Sequence, residues 1–152
     1  MKRLILGLVL AVSLALAVTD SLNCRLMGRF ASPGAIRTKG GIGCTVDAEV
    51  EASLHVYDVS DPANIHEDGS LPVNTMEAGA YPVSESYVWG ANGGYLTGVD
   101  ISAPENPVVD RQASAGAYIM WLDISSNQQY IYATSFYYGL LIYDISDTSE
   151  IS

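Results

Sequence analysis

Beyond residue 18, the apolar positions of this chain come in short runs broken by Gly, Asn, Ser, Asp and Pro, and none keeps the 3.6-residue period of an amphipathic helix. Leu54-His55-Val56-Tyr57-Asp58-Val59 places Leu54 and Val56 on one face of an extended chain and Tyr57 and Val59 on the other. A strand buried between two neighbouring sheets needs that pattern. Ser60-Asp61-Pro62 ends it, because proline donates no ladder bond and the serine and aspartate oxygens accept local backbone N–H groups. Ser86–Gly90 and Gln129–Ala133 are β-prone aromatic and branched runs. Each leads into a later strand through a glycine-bearing turn, Asn92-Gly93-Gly94 in one case and Tyr137-Tyr138-Gly139 in the other, and the former is expected to need positive φ. Tyr118–Ile124 supplies one more strand, with Ser125-Ser126-Asn127 as its turn. The chain therefore reads as all-β, built of short antiparallel sheets.

The runs also repeat. Leu54 to Pro62, Leu96 to Pro104 and Leu140 to Thr148 align without gaps, with Leu, Asp, a β-branched residue and Ser at fixed offsets. Their aspartates, Asp58, Asp100 and Asp144, lie 42 and 44 positions apart, a period typical of stacked small sheets rather than of helical hairpins. Units of about 24–62, 63–104 and 105–148 are expected, each holding three or four strands.

The N-terminus stands outside this pattern. Lys2 and Arg3 precede an apolar run from Leu4 to Val18 that contains Ala15-Leu16-Ala17, the layout of a secretory signal helix cleaved after residue 17. The run is shorter than the roughly 20 residues a membrane-spanning helix needs. Removing 1–17 moves the formal charge from −10 to −12. Nucleic acid is not expected as a partner of so acidic a chain, which has no basic stripe, and no membrane association is expected beyond the signal segment. Export places Cys24 and Cys44 in an oxidising compartment, where they either form a bridge or stay as two buried thiols.

These residues carry a family resemblance. A strand, a glycine-bearing hairpin and Leu-x-x-x-Asp-[Val/Ile]-Ser-Asp-Pro near a 42-residue period resemble the LVIVD-repeat family. Its members are taken to form β-propellers and are mostly exported or surface proteins. The likeness runs from Asn23 to the C-terminus, with Asn23–Arg29 resembling the lead-in and Asn106-Pro107-Val108-Val109 the step after a signature. The chain departs from the pattern in its weakened first unit at Gly43–Val50, at Asn64-Ile65-His66, at Gly98 inside the middle signature strand, and at Thr148 in place of proline. The resemblance implies a partial propeller of about three blades. Since closed rings use about four to eight blades, three readings stay open: a fragment of a longer propeller, which is favoured; self-association that completes the ring; or an open arc.

Candidate chemistry is thin. Asp58, Asp100 and Asp144 can converge on an axis as a cation site, but their place before a turn favours capping of backbone donors. Asp58 with Asp61, or Asp144 with Asp147, forms a local turn pair rather than a glycosidase pair across a groove. His55 and His66 are too few and too differently placed for a zinc site. No catalytic residue, metal or cofactor is expected. Phe136, Tyr137 and Tyr138 sit at a hairpin tip, as binding groups for sugars or peptides or as packing between sheets, while Trp89 and Trp121 are assigned to the core. The expectation is an exported, non-catalytic binding or surface-display module for a protein or glycan. The alternative is a fragment of a propeller enzyme of hydrolase or lyase type whose active site needs further blades.

Overall fold

The computed structural model describes residues 35–47, 52–73, 79–92 and 94–146. The signal segment, the lead-in with Cys24, Gly93, Asp147 and Thr148 lie outside these residues. Among the described residues every regular element is a strand. The first sheet holds β1 (Arg37–Lys39), β2 (Ile42–Val46), β3 (Ser53–Asp58) and β4 (His66–Pro72). The second holds β5 (Ala80–Ser84), β6 (Tyr87–Asn92), β7 (Tyr95–Asp100) and β8 (Val108–Ser114). The third holds β9 (Ile119–Ile124), β10 (Tyr130–Ser135) and β11 (Gly139–Asp144). Within each sheet the strands pair antiparallel in chain order.

The signature strands are β3, β7 and β11. Each is closed at its end by the same backbone bond: Val59 N–H to Gly41 C=O, Ile101 to Ser86, and Ile145 to Gln129, at 2.8–2.9 Å. After the Ser-x-Pro turns the chain folds back, and β4 and β8 pair with the signature strands that precede them. The sheets therefore span 37–72, 80–114 and 119–144, offset downstream from units ending at 62 and 104. A turn that stops one strand starts a hairpin, so the strand after it belongs to the same sheet. The same register shift recurs between Val56 and Tyr57 and between Gly98 and Val99, leaving Asp68 and Asp110 as the extra residues of two equivalent bulges. Gly98 does not interrupt β7. A Cβ there would collide with the Tyr87 hydroxyl, so glycine makes room for a ring whose Oη donates to Asp110 Oδ2 at 2.9 Å.

The sheets pack face to face through two apolar layers. Cys44, Leu54 and Val56 of the first sheet meet Val88, Val99 and the adjoining Ile101 of the second. Trp89, Ala91 and Leu96 of the second meet Ile119, Leu122, Ile131 and Ala133 of the third. Fully burying an aliphatic side chain of this size contributes about 1.5–3 kcal/mol, so these layers are what hold the sheets together. The first strands β1, β5 and β9 come together at one end of the stack, as the inner strands of a propeller do around its axis. Arg37 Nη2 donates to Tyr81 Oη and Gly41 N–H to Glu85 Oε1, tying the first sheet to the second. Tyr143 Oη donates to Ala115 C=O at 2.8 Å, tying the third to the second.

Candidate functional site

Because β-strand side chains alternate, register shows which residues face the next sheet. Cys44, Leu54 and Val56 do so in the first sheet, and Trp89 and Leu96 in the second; all are buried. The equivalent residues of the third sheet are Tyr132, Leu140 and Ile142, since Tyr132 pairs with Ile142 and Thr134 with Leu140. Leu140 is 63% and Ile142 59% exposed. The signature strand is thus buried on both faces in the second sheet but open on one face in the third. Trp121 joins this open face. It was expected in the core, yet it is 64% exposed, because it pairs with Thr134 and a register shift beside it leaves Met120 as an extra residue. Leu122 takes the inward position instead. Trp89 is buried at the second interface, as expected.

Phe136, Tyr137 and Tyr138 form the tip of the β10–β11 hairpin, 75%, 80% and 65% exposed. Gly139 closes that turn at φ 71°, a conformation that costs glycine little. The Phe136 and Tyr137 rings stack edge to face with centroids 5.3 Å apart. The tip continues into the open face through Leu140, giving one aromatic and aliphatic surface on the third sheet.

The signature aspartates cap their own turns. Oδ1 of Asp58, Asp100 and Asp144 accepts the N–H of Ser60, Ser102 and Ser146, each at 2.8 Å. Hydrogen bonds from Ser60 and Ser102 hold the Asp58 and Asp100 carboxyls below the ordinary range. Among the described residues, no three His, Cys, Asp or Glu side chains come together to hold a metal ion. Asp61 Oδ1 accepts Ala63 N–H at 2.9 Å, so it too serves a turn. His55 bridges Glu67 (2.8 Å) and Asp47 (3.3 Å) across the first sheet. Partial burial opposes its charge, but the hydrogen bonds and charges of those two carboxylates outweigh that and raise its pKa. Cys44 is buried facing the second sheet, a free thiol among the described residues, and burial pushes its pKa up to about 12. Cys24, which either bridges it or stands as a second buried thiol, lies outside the described residues.

A feature invisible in the linear pattern is a cleft of about 330 Å³ where the three inner strands meet. Arg37 and Lys39 come from β1, Tyr81 from β5, Asp123 from β9, and Ser126 and Gln128 from the β9–β10 turn. The Arg37 guanidinium lies over the Tyr81 ring, 3.8 Å from its centroid. Only the packing of three sheets brings these positions together, so no local motif announces them.

Short antiparallel sheets stacked through repeat-equivalent apolar layers, with their first strands gathered at one end, define a β-propeller-type repeat protein. Residues 78–111 match the LVIVD repeat model, so the chain carries an LVIVD repeat whose limits enclose β5 to β7 and enter β8. A search of curated proteins finds no match.

Proposed function

We propose that this chain is an exported, non-catalytic binding or display module that recognises a protein or glycan through the third sheet. The observation that carries this reading is the exposed aromatic tip, Phe136-Tyr137-Tyr138, continuous with Leu140 and Ile142 on a face whose equivalent is buried in each of the other two sheets. Large exposed apolar patches mark interaction sites more often than ordinary surface, and aromatic rings at a rigid turn give contact area at low entropic cost. The charge of −12 expected of the cleaved chain favours solubility beside that patch.

The test compares the secreted chain with a Phe136→Ser, Tyr137→Ser, Tyr138→Ser triple variant. Both are applied to an array of neutral and acidic glycans and to immobilised surface proteins of the producing cell. Binding by the parent that the triple variant loses, with unchanged thermal melting, supports the reading. Equal binding by both proteins removes the tip from the site. Export is checked by N-terminal sequencing of the secreted form, with Val18 expected as its first residue.

A further inference from the structure

We infer that the cleft between the inner strands is a binding site for a carboxylate-bearing sugar, a uronic acid unit. The first support is where the molecule places its cations. The chain is strongly acidic, and its described residues include three Arg or Lys side chains, Arg37, Lys39 and Arg111. Arg111 pairs with Asp110 at 2.8 Å. The other two line the cleft and form no ion pair among the described residues. They stand two residues apart on β1, the spacing that turns two strand side chains to one face.

The second support is preorganisation. The Tyr81 ring beneath Arg37 and the Tyr81 hydroxyl at its Nη2 hold the guanidinium in one plane. The rest of its planar fork remains to grip a carboxylate in a bidentate pair. On the opposite side of the cleft, Asp123 accepts hydroxyl protons, and Ser126 and the Gln128 amide can each donate and accept. Gln128 is held at φ 61°, the one non-glycine residue at positive φ among the described residues. The β9–β10 turn sets this conformation, with Gln128 N–H donating to Ser125 C=O at 2.8 Å, and so fixes where Gln128 stands.

The charge balance selects the ligand class. Two cations against one carboxylate leave the cleft one positive charge in excess. A neutral sugar leaves that one charge unmatched, and a phosphate dianion overshoots it by one negative charge. A uronic acid carries one carboxylate for Arg37 and Lys39 and a ring of hydroxyls for the opposite wall. A volume of about 330 Å³ lies at the small end of ligand pockets and suits one or two sugar rings.

This inference is independent of the hairpin tip, and its test keeps the two apart. The full chain is titrated by calorimetry with sodium galacturonate, digalacturonate, galactose and galactose 6-phosphate at low and moderate salt. Saturable binding of the uronates is expected, at least about tenfold tighter than of galactose or the phosphate ester and weaker at higher salt. Lys39→Gln should weaken uronate binding about tenfold, the loss of one charge-assisted contact, with unchanged melting. The tip triple variant should bind uronates like the parent. Absence of saturation, equal binding by Lys39→Gln, or equal or tighter binding of galactose or its phosphate overturns the inference. Tip-dependent partner binding that persists beside such a result leaves the proposed function standing.

Discussion

Leu54, Leu96 and Leu140 occupy one repeat position in three sheets, so one substitution made three times measures what each sheet packs against. Leu54 and Leu96 are 0% exposed, each inside an apolar layer between neighbouring sheets. Truncation to alanine removes the transfer energy of the lost carbons and leaves a cavity, which in packed cores costs about 2–5 kcal/mol. Leu140 is 63% exposed, and truncation there should stay within about 0.5 kcal/mol. In urea denaturation followed by circular dichroism, Leu54→Ala and Leu96→Ala should lower the midpoint with little change in slope, and each should lower the melting temperature by about 10 °C or more. Leu140→Ala should move it by under about 2 °C. A Leu140→Ala penalty equal to the other two would mean that the third sheet is covered in solution. A harmless Leu54→Ala would mean that the first two sheets do not pack as described.

Three further outcomes follow from individual contacts. Gly98→Ala drives a methyl group into the Tyr87 hydroxyl and should cost about 1–3 kcal/mol by overpacking, read as a lower urea midpoint; a neutral result would show that the ring is not seated there. The Cys44 thiol, with its pKa near 12, should resist iodoacetamide in the native chain at pH 8 and react once the chain is unfolded, since the thiolate is the nucleophile; rapid native alkylation followed by peptide mass mapping would contradict its burial. The raised pKa of His55 means that its charged form contributes stability present below its ordinary value of 6.5 and lost as pH rises through the folded value. The pKa of Asp47 is lowered first by the Ser53 N–H and further by His55, and the His55 share contributes stability present above 3.8 and lost as pH falls through the folded value. The stability gap between the parent and His55→Gln should therefore be widest between those two limits and narrow above neutral pH, and a gap that widens with rising pH would reverse the assignment.

The strands and the repeat were legible because each signature carries its own period-2 pattern and its own stop. The hairpins before β7 and β11 were legible from their glycine turns. The capping role of Asp58, Asp100 and Asp144 followed from position alone, since an aspartate two residues before a turn N–H is already within reach. Other features depend on neighbours that no local pattern encodes. Leu140 and Ile142 look like Leu54 and Val56 in sequence, and only the stacking order makes one pair surface and the other core. Met120-Trp121-Leu122 is apolar throughout, so the register shift that turns Trp121 outward left no mark in composition. The sheets run past the repeat units because the chain turns back at the proline, and β4 and β8 then pair with the signature strands before them. The cleft unites single residues from three sheets, and Arg37 and Lys39 gave no sign in the sequence that they shared a wall with Asp123.

Isotope-edited methyl NOE spectroscopy tests the stacked arrangement most directly. It should show cross-peaks from Leu54 and Val56 to Val88 and Val99, and from Leu96 to the third-sheet layer of Ile119, Leu122 and Ile131, with none from Leu140 or Ile142 to the other two sheets. Cross-peaks that join the three signature strands side by side in one continuous sheet, or that bury the Leu140 and Ile142 methyls against the first or second sheet, would contradict the stack and with it the exposed binding face.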